Sequence, residues 1–338
     1  MDTTAVNNSS PTAATEPYRV PMNNNPASTP PGYDPNPTTT THANSFEHYR
    51  PGKMASSRGR LRRFNIADSP RNNIVAVTSE FVGTFLFLFF AFGGTMIASN
   101  PPQPYGDGPG NTLAMFYTSL GFGVSLAINV WVFYRVTGGM FNPAVTLSLL
   151  LVGAIGPLRA ALVVVAQLLG GIAAAGVASA IFPIPLTVGT RLGRGTSIAQ
   201  GLFIEMFLTA MLAIAIIMLA AEKHRATFVA PLGIGLAFFL TELIGIPFTG
   251  GSLNPARSLG PDVVNRSFPG YHWIYWLGPA LGSLIAVGWY WFLRALRFQT
   301  CNPGQDNDCE REVLEGESVD NTMSGAGVVS NRKGGAVV

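Results

Sequence analysis

The chain has 338 residues, 48% of them hydrophobic and only 12% charged, with a formal net charge of +3. Soluble domains average about 25% charged residues, so the composition points to a membrane-embedded middle with polar ends. So small a net charge gives no footprint for nucleic acid. Cys301 and Cys309, with four scattered His, form neither a disulfide framework nor a metal-ligand spacing, so no metal or cofactor is expected.

Residues 1–73 are rich in Pro, Asn, Thr and Ser ("NNNPASTPPGYDPNPTTTTH") and are expected to be a disordered cytoplasmic tail, because such a composition cannot bury a core. Residues 1–20 lack an apolar run, so no cleavable signal peptide is expected and the first span serves as the signal. The tail ends in "SSRGRLRRF", where Arg58, Arg60, Arg62 and Arg63 read as a topology signal, with an anionic-lipid site as the sharper alternative. Ser56, Ser57 and Ser69 are candidate phosphorylation sites.

Long runs nearly free of charge follow: 74–98 (only Glu80), 112–134, 160–182, 199–221 (only Glu205), 227–247 (only Glu242) and 273–293. Each matches the roughly 20 residues that cross a bilayer as a helix, which predicts six spans. Two further segments, 142–153 and 254–264, are about half that length and read as re-entrant half-helices rather than a seventh span. Residues 298–338 turn polar again and are expected to be a second cytoplasmic tail.

The half-length segments begin with a repeated phrase, "TGGMFNPAVT" at 137–146 and "TGGSLNPARS" at 249–258, at a constant offset of 112. The first and fourth spans share a second phrase, Glu80-x-x-x-Thr84 and Glu205-x-x-x-Thr209. Each half therefore holds three spans and one half-helix, with repeats at about 74–182 and 199–297. An odd number of spans per half inverts one half relative to the other, so the fold expected is all-α with an inverted 3+3 repeat. Glu80 and Glu205 are expected to hold backbone groups of the re-entrant loops. No Lys or His in the spans partners them for a proton relay.

Asn at the N-cap followed by Pro at the first helical position is a strong helix-start signal. Here Asn142-Pro143-Ala144 and Asn254-Pro255-Ala256 would start helices deep in the bilayer. Capping fixes each amide and is expected to leave its NH₂ donors free. Two such helices meeting tip to tip would present two positive dipole ends, repelling cations. A central water would accept from both Asn and could not relay a proton along the axis.

Lys and Arg near the span ends divide eleven to four when the N-terminus is placed inside, so both termini are expected in the cytoplasm. An alternating-access carrier would need ionisable ligands and a coupling ion at the midplane, where this chain offers Asn and Ala. An enzyme is not expected, since the spans contain no Lys or Cys and no nucleophile–base grouping. The sequon Asn265-Arg266-Ser267 falls outside by this topology, close to the membrane.

On "FNPAVT", "LNPARS", the two Glu and "HWIYWLGP" at 272–279, the region 74–297 resembles an aquaporin of the major intrinsic protein family, and the long Asn/Pro-rich tail is similar to those of fungal members. The resemblance implies a homotetramer in the plasma membrane with one pore per subunit, carrying water and small neutral solutes. It also implies an aromatic/arginine filter at the outer mouth, matched here by Phe122, Glu242, Gly251 and Arg257. Glu242 departs from the usual His of water-selective members, and Met140 replaces a common His. Glu242 is expected either to pair with Arg257, closing or retuning the filter, or to turn aside to backbone or a neighbouring helix. Ser258 in place of an Asp favours water, with hydrogen peroxide close behind, over glycerol.

Overall fold

The computed structural model describes residues 68–99 and 112–302. Ser56, Ser57, the Arg58–Arg63 cluster, Cys309 and most of both expected tails lie outside these residues. The described chain is helical, in the order α1 (Asp68–Ala98), α2 (Thr112–Phe133), α3 (Pro143–Leu151), α4 (Pro157–Ile181), α5 (Ile198–Ile216), α6 (Ala230–Thr249), α7 (Pro255–Asn265) and α8 (Ile274–Ala295). Helices α1, α2, α4, α5, α6 and α8 are the six long and apolar enough to cross a membrane. The fold is an all-α membrane protein with α3 and α7 as half-helices.

Local sequence explains most helix boundaries. Helix α1 starts at Asp68, six residues into the expected tail, with Pro70 in its first turn. Asp, Ser and Pro favour a helix start even where the residues are polar. Pro157 opens α4. Ser197 and Gln200 close a reciprocal capping box on α5, satisfying two N–H groups that have no intrahelical partner. Gly250, in the left-handed region at φ 83°, ends α6 and turns the chain into the second loop.

Packing repeats with the sequence. Helix α1 packs on α2 and α4, as α5 packs on α6 and α8. Helix α4 packs on the half-helix α7 of the other repeat, as α8 packs on α3, and α2 meets α6 across the centre. The main long-helix contacts use paired glycines 112 residues apart. A Cβ on Gly170 would strike the Phe81 carbonyl of α1, and one on Gly282 would strike the Met206 carbonyl of α5. With little hydrophobic drive between helices in lipid, such small residues let backbones approach closely. Large apolar side chains such as Phe90, Trp131, Phe207 and Trp289 are left on the outside, suited to a hydrocarbon surround.

Candidate functional site

The two Thr-Gly-Gly loops have matched backbones. Gly138, Gly139 and Phe141 have φ of 89°, 72° and 48°, and Gly250, Gly251 and Leu253 have 83°, 61° and 51°. Glycine adopts this region without steric cost, but Phe141 and Leu253 do not, so the strain falls on the residue before each Asn. Thr137 Oγ1 accepts from Gly139 N at 3.2 Å, and Thr249 Oγ1 accepts from Gly251 N at 3.3 Å.

Buried carboxylates hold these turns. Glu80 accepts from Met140 N (3.2 Å) and Phe141 N (2.8 Å), and Glu205 accepts from Ser252 N (3.0 Å) and Leu253 N (2.8 Å). Glu80 has a third donor, Gln167 Nε2 at 2.8 Å. The position 112 residues on from Gln167 is Pro279, which has no side-chain donor.

Each loop delivers an Asn to the start of a half-helix. Asn142 Oδ1 accepts from Ala144 N at 2.8 Å, and Asn254 Oδ1 accepts from Ala256 N at 2.9 Å. Their amides then cross. Asn142 Nδ2 donates to Leu253 O at 2.7 Å, and Asn254 Nδ2 donates to Phe141 O at 2.9 Å. This corrects the expectation of fully free NH₂ groups: one N–H of each Asn closes the seam between the half-helices, and one remains uncommitted. The crossed bonds satisfy the carbonyls of the two strained residues, which have no other backbone use deep in the fold.

A series of cavities passes these amides. One of about 200 Å³ is lined by Thr95, Thr118, Val188, Ile246 and Arg257. One of about 10 Å³ is lined by Leu126, Val130, Phe238, Asn142 and Asn254. One of about 340 Å³ lies beyond and shares Gly139, Met140, Val145, Ile216 and Ile234 with the second. Side chains four apart on a helix share a face. On α6, Ile246 lines the first cavity and Phe238 the second, so Glu242 stands between them. On α2, Thr118 lines the first and Leu126 the second, so Phe122 stands between them. Both expected filter residues therefore occupy one level.

Arg257 stands at that level, almost wholly buried. Its Nε donates to Gly251 O (2.8 Å), Nη2 to Gly250 O (3.2 Å) and Nη1 to Val188 O. The guanidinium lies over the rings of Phe122 (4.9 Å to the centroid) and Phe92 (5.6 Å). Three of its five N–H groups are thus committed. Glu242 is buried on the same level, and among the described residues neither carboxylate oxygen has a hydrogen-bond partner. Both expectations for this side chain are corrected: it pairs neither with Arg257 nor with backbone or a neighbouring helix. Backbone carbonyls satisfy the arginine instead, and the carboxylate rests against Gly251, in the space a Cβ would fill.

Applying the offset of 112 to the filter exposes a second ring. Glu242, Gly251, Arg257 and Ile234 correspond to Val130, Gly139, Val145 and Phe122. Val130, Gly139, Val145 and Ile234 all line the 10 Å³ cavity. The four positions expected to form the filter thus have counterparts, all apolar or Gly, around the cavity at the crossed amides. Sequence reasoning missed this ring, although the offset was sufficient to find it. It also missed Val188, an acceptor through its carbonyl, and the cluster in which Phe238 meets Phe87 and Phe122 edge-on at 5.8 and 5.9 Å.

The sequon residue Asn265 donates its side-chain amide to Leu186 O at 2.9 Å, which ties up the nitrogen a glycan would need.

Two half-helices joined by crossed amides, with cavities on either side of them, stand among six helices long and apolar enough to cross a membrane. Residues 68–290 match the family described as Major intrinsic protein. The chain is 54% identical over 262 residues to Aquaporin-7 of Botryotinia fuckeliana, covering 76% of this chain and 58% of that protein. It is 51% identical to Aquaporin-1 of Gibberella zeae (71% of this chain, 76% of that one). It is 44% identical to Probable aquaporin-3 of the same species (77% and 94%). In several of these relatives the match spans only about half of their length, 58%, 47% and 45% in three of them. The X-ray structure of the aquaglyceroporin from Plasmodium falciparum shares the fold, with TM-score 0.56 and 20% identity over 65% of this chain and 95% of that one. The chain belongs to the major intrinsic protein family, whose members are membrane channels.

Proposed function

We propose that the region 74–297 is a passive pore for water, with hydrogen peroxide as a second solute, that excludes ions and protons. The observation that carries this reading is the 10 Å³ cavity beside Asn142 and Asn254. That volume is room for a single water. Ala144 and Ala256 keep the half-helix tips narrow, and Pro143 and Pro255 set their starts. The two positive helix ends raise the barrier to cations. The remaining N–H of each Asn donates to the passing water, which cannot then donate along the axis.

In the filter, Phe122 and Arg257 set the width, and Gly251 leaves room for the carboxylate of Glu242. The carboxyl oxygens of Glu242 accept from a passing O–H. The same arrangement favours solutes that can donate two hydrogen bonds, as water and peroxide do.

With the N-terminal side of the bundle inside, both termini face the cytoplasm, and the filter faces outward. The chain works as a homotetramer in the plasma membrane, with one pore per subunit. A glycerol-conducting channel is the second reading. Thr95 and Thr118, which line the 200 Å³ cavity, favour it.

Purified chain in liposomes, with water, peroxide and glycerol fluxes measured side by side, tests the proposal. Fast water flux with glycerol at the protein-free rate is expected. Glycerol flux rising in step with water would favour the second reading, and three rates equal to empty liposomes would refute both.

A further inference from the structure

The filter arginine owes one of its three acceptors to a segment remote in sequence. Val188 lies in the non-helical stretch between α4 and α5, and its carbonyl receives Arg257 Nη1. Three residues on, Arg191 leaves that stretch and reaches α7. Its Nη1 donates to Asp262 Oδ1 and to Thr190 O, both at 2.7 Å, and its Nη2 donates to Ser267 O at 2.9 Å. Asp262 is fully buried, and its other oxygen meets His272 Nδ1 at 2.7 Å. Asp262 sits on the same half-helix as Arg257, five residues later. The Val188 carbonyl is thus bracketed by two ties to that half-helix, Asn265 to Leu186 and Arg191 to Asp262. The first repeat has Leu150 at the position matching Asp262, so only the half that carries the filter has this tie.

We propose that Arg191 and Asp262 form a clasp that positions Arg257 in its conducting orientation, and that opening the clasp lets Arg257 pair with Glu242 and close the filter. This rests on the channel reading above. Gly251 is the hinge between the two orientations. Its carbonyl accepts from Arg257 Nε at 2.8 Å, and the Glu242 carboxylate lies against its Cα. With Val188 O in place, the guanidinium has three carbonyl acceptors and the carboxylate waits unpartnered. Without it, Nη1 loses its acceptor beside a buried carboxyl group whose oxygens have no hydrogen-bond partner among the described residues. A buried donor left unpaired is costly, so pairing follows. Arg191 and Asp262 are positioning residues, since neither lines the space between Phe122 and Glu242.

The test is osmotic water flux of the full chain in liposomes at matched protein per vesicle, with Arg191→Gln made in two backgrounds. In the wild-type background we expect a loss of about threefold or more, the size of a modest population shift toward the paired state. In a Glu242→Gln background the same substitution should change flux by less than about 1.5-fold, because the neutral amide no longer captures the guanidinium. Arg191→Lys, which keeps the charge, should restore more than half of the wild-type flux. Asp262→Asn should repeat the pattern. Because Asp262 is buried, Arg191→Gln, whose side chain is 38% exposed, carries the decision if the Asp262 variant does not reconstitute. Equal losses in both backgrounds would reduce the tie to a fold-holding contact and overturn the proposal, as would no loss in either. A wild-type chain that passes no water would refute the channel reading, and the clasp with it. Failure of the clasp alone leaves wild-type flux intact.

Discussion

The carboxylate of Glu242 occupies the space that a side chain on Gly251 would need. The two positions are complementary: an acid fits into the filter only because the loop opposite it has no Cβ. Gly251→Ala should therefore displace the carboxylate and strain a left-handed backbone (φ 61°) that costs an L-residue about 1–2 kcal/mol. We expect water flux to fall at least several-fold at equal membrane abundance. Glu242→Ala added to the same chain should recover a large part of it. Recovery would assign the loss to the clash; none would assign it to the backbone.

Asn254 is neutral, and its amide spans the seam to Phe141 O. Asn254→Asp removes that donor and puts an anion between two positive helix ends, which lowers the barrier to cations. Vesicles under an inward proton gradient should acidify faster with this variant than with the wild type. An unchanged rate at preserved water flux would mean that proton exclusion resides elsewhere, with Arg257 the next place to look.

The supporting carboxylates should differ in weight. Hydrogen bonds to a charged acceptor contribute roughly 1.5–3 kcal/mol each, and Glu80 accepts three where Glu205 accepts two from the loop backbone. Both Glu→Gln variants should lower the thermal aggregation midpoint in detergent, Glu80→Gln by more. Gln167→Leu should remove most of that difference.

Ile234 stands in the apolar ring opposite the filter. Ile234→Ala enlarges the narrowest cavity without touching Arg257. Water flux should rise about twofold, with stability lowered by roughly 2–5 kcal/mol at most for a large-to-small core change. Glycerol flux should stay at background. If glycerol entered together with the extra water, the size limit would lie at this ring rather than at the filter.

Much of this is legible in the sequence, because a bilayer imposes lengths that a sequence must display. The six spans and two half-length segments followed from counting uncharged residues. The matched Thr-Gly-Gly-x-x-Asn-Pro-Ala phrases fixed which segments face each other. What stayed hidden has a common physical origin. Carbonyl acceptors carry no residue signature, so neither Val188 O on Arg257 nor the crossed acceptance by Phe141 O and Leu253 O could be read from side-chain types. That is why the acidic Glu242 was expected to pair with the arginine. The apolar ring of Val130, Val145 and Ile234 was hidden differently: apolar residues in an apolar chain announce nothing until the repeat is laid over the filter.

The crossed amides also bear on how such a chain is assembled and inherited. Each repeat completes the turn of the other and leaves its own turn incomplete, since Phe141 O is met by Asn254 and Leu253 O by Asn142. A half-chain made alone would expose one strained turn and one idle amide, and only a second half-chain, inverted against it, could satisfy both. Each half is therefore incomplete without the other. During synthesis, the first three spans must wait in the membrane for the second loop before their own pore wall is closed.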